Sequence, residues 1–322
     1  MSVDRIATAQ QSAYFLSQIN QAGAALDKTN QQIASGKIAN TYAGFGGQTQ
    51  VLTATLSAQA RNNSYATATT LATTQADLQD TQLTSLSSLA TQLKTAVSTA
   101  VANNDPSTLM SQVSSIFDQA TAILNSKDAN GDYIYSGGKT DTPPVTVSSL
   151  ADLIALPSMP SVSDAFANGS DKKSVQVADG QTVTYGVNAS DIATGLMQSL
   201  ADIANFDAGS TGNFSGSTTL SDAQNTFLSG EISTAGTVAS NLNTVTAQNG
   251  FAFNQLQNAT TQQSSLSTLY SGFVSNMQDT NMADAATQLS LNQTALQAAL
   301  QVTSTLNQLT LLNYLPAAST IG

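Results

Sequence analysis

Long stretches with helical apolar spacing flank a central stretch that lacks it. From Asp4 to Gly36, apolar residues recur every three or four positions without a proline, which predicts a helix that ends at the glycine. A second helix is predicted from about Val51 to Asn103, where leucines stand among many alanines, threonines and glutamines. A third helix is predicted from Ser107 to Leu124. The first part of the chain is therefore expected to be mostly helical.

The first helix has the spacing of a coiled-coil seam, in which apolar positions alternate at separations of three and four. Glycine and asparagine dilute this seam, which comprises Leu16, Ile19, Gly23, Leu26, Asn30 and Ile33. The last predicted helix continues almost to Pro316 and carries a comparable series, Leu289, Leu296, Leu300, Leu306, Leu309 and Leu312. An apolar stripe on a polar helix must be buried, so we expect the two terminal helices to pack against each other.

The central stretch begins where helical spacing stops. Residues 127–139 indicate a turn followed by a short aromatic strand, and Pro143 and Pro144 stiffen the linker that follows. Residues 145–220 have the pattern of a small α+β insert, which we expect to project from the helices. Its clearest element is a hairpin over Ser174–Val187, whose two-residue turn is Asp179-Gly180. A helix over about 190–206 and a flexible loop over 209–216 complete the insert.

Helical spacing resumes near Ser221 and continues to the end, with a break at about Asp279–Met282. The predicted fold class is mainly α: a long antiparallel helical bundle or coiled coil of paired N- and C-terminal segments, with a small α+β central insert. We predict three domains: a terminal coiled-coil assembly domain (1–45 plus 278–322), a helical rod domain (46–144 plus 221–277) and a central surface domain (145–220).

Such paired ends are poorly stabilised in a single molecule. Burying a leucine is worth about 1.5–3 kcal/mol, whereas ordering each residue's backbone costs about 1–2 kcal/mol, and alanine, serine and threonine bury far less. The ends are therefore expected to order against further copies of the chain. The predicted assembly interface consists of Leu16, Ile19, Leu26, Ile33, Leu289, Leu296, Leu300, Leu306 and Leu309, and the predicted hinge between helices and insert consists of Tyr133, Tyr135, Pro143 and Pro144.

Composition supports a structural role and excludes several others. Only 9% of the 322 residues are charged, the formal net charge is −11, and the chain has no cysteine or histidine. Thiolate or imidazole catalysis and Cys or His metal sites are thereby excluded, and nine cations on an acidic chain do not make a nucleic-acid surface. No apolar run is long enough for membrane insertion, and the N-terminus lacks the pattern of a secretory signal peptide. Low charge also favours close packing of like chains, because repulsion between them is small.

Two local motifs suggest ligand sites but lack essential positions. Ser136–Thr140 is like the end of a phosphate-binding loop, yet Tyr133 stands where that motif needs glycine. Asp128–Asp132 begins like a calcium loop, yet Lys139 occupies the position of the bidentate glutamate. Asp202 and Asp207 could form a carboxylate pair, but nothing in the sequence marks a cleft around them. We therefore predict turns at the two motifs, no cofactor or metal, and no enzymatic activity.

Three segments resemble bacterial flagellins and flagellar hook-associated proteins, including hook–filament junction proteins. Residues 32–37 (QIASGK) resemble the end of the family's N-terminal helix, and residues 284–315 resemble its C-terminal helix. The most specific similarity is NGDYIYSGGKTDTPP at residues 130–144, which resembles the segment leaving the helical domain of the junction protein. The resemblance covers about 1–145 and 222–315, whereas the insert is similar in kind only.

The resemblance implies a structural subunit of the bacterial flagellum, and the hook–filament junction is favoured over the filament itself. It implies export by the flagellar type III system without a cleaved signal, an extracellular location, and polymerisation into a tube lined by the terminal helices. The implied partners are copies of itself, hook-associated protein 1, flagellin and a flagellar export chaperone. Filament flagellin remains the alternative, and a more distant one is a surface glycan-binding module, suggested by an exposed hairpin with Tyr185.

Overall fold

The computed structural model describes the backbone of residues 2–312 and the side chains of residues 10–305. Contacts divide the chain into two compact units: one contains the chain up to Arg61 and from Leu266 onwards, and the other comprises Asn62–Ser265. The elements of the described part are α1 (Ser2–Ser35), α2 (Thr49–Asn103), α3 (Leu109–Leu124), α4 (Leu150–Ile154), β1 (Ser174–Ala178), β2 (Gln181–Thr184), α5 (Ala189–Ala208), α6 (Asp222–Gln278) and α7 (Met282–Leu312). Three short 3₁₀ segments are Tyr42–Gln48, Ser163–Ala165 and Phe214–Gly216.

In the first unit, α1 packs against α7. Gly36 ends α1 with a φ of 68°, a conformation that glycine adopts without a steric penalty. Backbone hydrogen bonds then join the two helix ends, from Ile38 N to Gln278 O at 2.8 Å and from Thr280 N to Gly36 O at 2.9 Å. Because the end of α1 meets the start of α7, the two helices run antiparallel.

The second unit holds the main hydrophobic core. The C-terminal half of α2 packs there with α3, α5 and the first half of α6. Residues 134–165, which connect α3 to the hairpin, contribute buried side chains to the same core. The largest fully buried side chains in this core are Tyr135, Phe117, Phe214, Leu83, Leu86, Leu93, Leu109, Leu124, Leu153, Leu196 and Met197.

The β1–β2 hairpin forms as predicted, but it does not project from the helices. The strands pair antiparallel with Ala178 opposite Gln181, which leaves Asp179-Gly180 as the turn. Gly180 has a φ of 73°, which glycine adopts without a steric penalty, and the register shifts between Gln176 and Ala178. A second, smaller cluster joins the hairpin to α2 and α6; its buried members are Ala72, Ala76, Val177, Val183, Leu256 and Ala259.

The predicted aromatic strand near Tyr133 is wrong. Only an isolated bridge joins Lys127 to Tyr133, and turns follow. A half-buried strand needs alternate residues to face solvent, whereas Ile134, Tyr135 and Ser136 are all buried. The segment is therefore enclosed by neighbouring chain on all sides and does not form an edge of a sheet.

The predicted loop at 209–216 contains an unexpected aromatic anchor. Phe214 is fully buried, and its backbone N–H donates to Asp207 Oδ1 at 2.6 Å. Its ring stacks on Phe206, which in turn stacks on Phe227 with ring centroids 4.1 Å apart. The loop is thus tied to the ends of α5 and α6 by aromatic contact, a feature that the glycine-rich sequence did not reveal.

The predicted fold class is confirmed: long helices pack against each other, and a two-stranded sheet is the small β component of the described chain. The three-domain division stays a prediction. The boundaries between the two compact units fall within α2 and α6, so both helices contribute to both units. Within residues 2–312, no helix combines the length and apolar character needed to cross a membrane.

Candidate assembly surface

The inner face of α1 follows a regular alternation of four and three residues. Its less exposed members lie one residue away from the predicted seam at three places: Phe15 takes the place of Leu16, Ala22 that of Gly23, and Thr29 that of Asn30. Thr29 is the one fully buried side chain among residues 10–35. The observed seam of α1 comprises Phe15, Ile19, Ala22, Leu26, Thr29 and Ile33.

The seam of α7 has the same alternation and meets α1 through a polar contact. Asn292 Nδ2 donates to Thr29 Oγ1 at 3.0 Å, and Thr29 Oγ1 donates to the carbonyl of Ala25 at 2.9 Å. Paired polar groups inside an apolar seam fix the register of two helices, although they stabilise it less than leucines would. The less exposed positions of α7 are Ala285, Leu289, Asn292, Leu296, Ala299 and Thr303.

Several large apolar side chains of α1 and α7 lie outside this seam. Leu16 is 61% exposed, Leu291 58% and Leu300 51%. About half or more of the surface of each of these side chains therefore stays in water after α1 pairs with α7. We call this set the outer apolar residues: Tyr14, Leu16, Met282, Leu291, Leu300 and Val302.

The predicted interface residues whose side chains are described separate into two groups. Five lie on the intramolecular seam, and Leu16 and Leu300 are outer apolar residues. The predicted interface does not include Tyr14, Met282, Leu291 and Val302, because they lie beside the single heptad register from which it was predicted. The side chains of Leu306 and Leu309 lie outside the described residues. The five seam residues are Ile19, Leu26, Ile33, Leu289 and Leu296.

The four predicted hinge residues differ in their surroundings. Tyr135 is fully buried, and its carbonyl accepts the N–H of Ala189 at 3.0 Å. Tyr133 is half-buried beneath Lys127, whose Nζ lies 4.5 Å from the ring centroid. Pro144 is buried and Pro143 is exposed. A hinge role for these residues stays a prediction.

A reciprocal side-chain pairing anchors the same segment. Asn125 Nδ2 donates to the carbonyl of Val145, and the N–H of Val145 donates to Asn125 Oδ1, both at 2.9 Å. The N–H of Gly169 bonds to Ser136 O at 2.9 Å. Residues 130–145 thus supply buried side chains and backbone hydrogen-bond partners to several elements.

Two carboxylates of the second unit, those of Asp128 and Glu231, accept hydrogen bonds within the fold. Asp128 Oδ1 accepts the backbone N–H groups of Asn130 and Asp132, at 2.9 and 3.1 Å, as an Asx turn does. Glu231 is buried in the contact between α5 and α6, where Ser199 Oγ donates to its Oε2 at 2.8 Å. Burial raises the pKa of Glu231, and nearby Asp202 raises it further, against the lowering effect of the Ser199 bond. Among the described residues, no cluster of three or more acidic side chains could hold a metal ion.

This chain matches flagellar proteins in three comparisons: with a family model, with a related sequence and with solved structures. Residues 232–315 match the family model of the bacterial flagellin C-terminal helical region. Over 98 residues, or 27% of this chain, the sequence is 34% identical to flagellar hook-associated protein 3 of Salmonella typhimurium, and the match spans 29% of the length of that protein.

Solved structures extend the similarity to most of the chain. A protein of Vibrio parahaemolyticus, assigned as flagellar hook-associated, superimposes with a TM-score of 0.59 at 19% identity, over 72% of this chain and 97% of the other. FlgL of Bacillus cereus gives a TM-score of 0.50 at 13% identity, over 69% and 98%. At these identities the structures bear on the fold alone. Together with the sequence matches, they confirm the predicted resemblance to flagellins and hook-associated proteins.

Proposed function

We propose that this protein is a structural subunit of the bacterial flagellum that assembles with copies of itself through α1 and α7. The observation that carries the proposal is the pairing of two terminal helices that leave the outer apolar residues in water. Among the described side chains of α1 and α7, only Thr29 and Ala285 are fully buried. A pair with so little buried apolar area gains most of its stability from further contacts.

The hook–filament junction is the position we favour within the flagellum. The 34% identity to hook-associated protein 3, over 98 residues, supports it. The partners of such a subunit are copies of itself, hook-associated protein 1, flagellin and a flagellar export chaperone. On this proposal the chain acts in the extracellular flagellum, leaves the cell by the flagellar type III system without a cleaved signal, and is not an enzyme.

Filament flagellin is the second candidate, supported by the match of residues 232–315 to the flagellin C-terminal family model. A deletion strain distinguishes the two. Loss of a junction subunit should leave hooks without filaments and release flagellin into the medium. Loss of the flagellin should leave hooks that still carry junction proteins. If purified full-length protein forms long filaments on dialysis into high salt, the chain is a filament subunit; a junction protein should form none.

The role of the outer apolar residues is tested by Leu300→Ala. Leu300 is 51% exposed, so its burial by a neighbouring copy would gain about half of the 1.5–3 kcal/mol of a fully buried leucine. The variant should weaken addition of the subunit to hook ends about fourfold to tenfold, as measured by co-sedimentation over a range of subunit concentrations.

The control is Gln301→Ala, because Gln301 is the exposed polar neighbour of Leu300 on the same helix. It should assemble like the wild type. The free Leu300→Ala subunit should also keep the wild-type circular dichroism and melting temperature. Unchanged assembly of Leu300→Ala, or equal weakening by both variants, would contradict a contact between copies at this position.

A further inference from the structure

Few large apolar side chains are buried between α2 and α6 in the part of the second unit nearest to Asn62 and Ser265. Between residues 62 and 76 of α2 and residues 252 and 263 of α6, the buried apolar side chains are mostly alanines, and Leu256 is the largest of them. An alanine buries little area compared with leucine, so this stretch of paired helix gains little hydrophobic stabilisation of its own.

The hairpin supplies the missing apolar area. Val177 of β1 and Val183 of β2 are 6% and 8% exposed, and both belong to the same cluster as the alanines of α2 and α6. The half-buried side chains Val175, Tyr185 and Phe253 pack around this cluster. One face of the two-stranded sheet thus contacts both helices at once.

Buried polar groups connect the same three elements. Gln263 of α6 is 3% exposed, and its Nε2 donates both to Val177 O on β1, at 2.7 Å, and to Thr69 Oγ1 on α2, at 2.9 Å. Asn62 Nδ2, also on α2, donates to the backbone carbonyl of Gln263 at 2.8 Å. The side chain of Gln263 therefore links α6 to both α2 and β1.

Two tyrosine hydroxyls connect the hairpin to α2 from opposite directions. Tyr65 OH of α2 donates to Asp179 Oδ1 in the hairpin turn at 2.6 Å, and Tyr185 OH, just beyond β2, donates to Gln75 Oε1 of α2 at 2.8 Å. The hairpin is thereby fixed along about three turns of α2, at its tip and at its base.

We infer that the β1–β2 hairpin is an intramolecular clasp, which holds α2 and α6 together over residues 62–76 and 252–263. This role replaces that of a free surface module, because Tyr185 is engaged with α2. The solvent-facing side of the sheet carries short polar residues instead, among them Gln176 and Thr182, which lie opposite each other.

Hydrogen exchange of the full-length chain, followed by mass spectrometry, tests the clasp. In the double variant Val177→Ala/Val183→Ala, peptides covering residues 62–76 and 252–263 should exchange about tenfold faster or more, since each truncation removes buried methyl groups. Peptides of α5 should keep their wild-type rates. The matched control is Gln176→Ala/Thr182→Ala, on the outer face of the same strands, which should leave both helices unchanged.

A milder variant, Tyr65→Phe/Tyr185→Phe, removes the two hydroxyl groups and keeps the rings. It should accelerate exchange in the same two peptides about threefold or more, and it decides the question if the double valine variant does not fold. Unchanged rates in α2 and α6 would overturn the clasp. An equal acceleration in α5 would also overturn it, because the hairpin would then be one part of a single cooperative core.

Discussion

Gln79→Leu should stabilise the second unit, although it removes a polar residue from a helix rich in amides. Gln79 is fully buried, and neither its Nε2 nor its Oε1 has a hydrogen-bond partner among the described residues. It lies in α2 between the two hydrophobic clusters, after Ala76 of the smaller one and before Leu83 of the main core. A leucine of similar size at this position would join the clusters.

The expected gain follows from the cost of the buried amide. A buried polar group without a partner costs about 1–3 kcal/mol, and an apolar residue of similar shape removes that cost. The free energy of unfolding should therefore rise by about 1–3 kcal/mol. For a unit of this size, each kcal/mol corresponds to a rise of roughly 2–4 °C in melting temperature. Urea denaturation followed by circular dichroism at 222 nm measures the first quantity, and calorimetry the second.

Gln224→Leu is the control, at a buried glutamine of the same unit whose amide is bonded on both sides. Gln224 of α6 is 3% exposed; its Nε2 donates to the carbonyl of Gly212 at 2.6 Å, and its Oε1 accepts the N–H of Ser221 at 2.8 Å. This substitution removes both bonds and should cost about 1–3 kcal/mol. Opposite signs for the two variants would support the assignment of Gln79 as an unpartnered buried amide. Destabilisation by Gln79→Leu as large as that of Gln224→Leu would refute it.

Three further substitutions test buried groups of the second unit. Glu231→Gln should stabilise the unit near pH 7 and have little effect below about pH 4. Burial raises the pKa of Glu231 in the folded state, so the stability that its protonated form contributes is lost as the pH rises through that pKa. Thermal melts across a range of pH measure this dependence. Tyr135→Phe should raise the free energy of unfolding in urea by about 1 kcal/mol, because the buried hydroxyl has no partner among the described residues. Gly137→Ala should lower it by about 1–3 kcal/mol, because φ is 63° and the added Cβ would lie 2.8 Å from the Asp171 carbonyl oxygen. A destabilised Tyr135→Phe, a Glu231→Gln effect that does not vary with pH, or a stable Gly137→Ala would each contradict the reasoning.

Elements that depend on local chemistry were predictable from the sequence. The Asp179-Gly180 turn fixed the hairpin, and the break near Asp279 separated α6 from α7 at the right place. The predictions that were wrong concern segments whose structure depends on contacts with residues far along the chain. The strand expected near Tyr133 is a buried turn, because the N–H groups of Gly169 and Ala189, far along the chain, donate to the carbonyls of Ser136 and Tyr135. Likewise, nothing local indicates that Phe214 stacks in the core.

The sequence predicts that α1 has a seam, but it does not fix which residues of α1 form it. Spacings of three and four fit Leu16 and Asn30 as well as Phe15 and Thr29, and only the partner helix decides between them. Asn292 of α7 lies against the Thr29 side of α1, because its Nδ2 donates to Thr29 Oγ1 at 3.0 Å and to the carbonyl of Ala25 at 3.3 Å. A sequence so rich in small polar residues offers several nearly equivalent registers, and local spacing does not indicate which polar contact forms.

The two units divide stability between them in a way that suits an assembling subunit. The second unit buries many large side chains and contains the clasp, so it can be stable in the free chain. In the first unit, the largest fully buried apolar side chain of the described part is Leu52 in α2, while Leu16 and Leu300 remain in water. The exposed part of each leucine can contribute to stability only when another surface covers it. On the proposed function, the free energy that is missing from the isolated first unit is supplied when neighbouring copies cover the outer apolar residues.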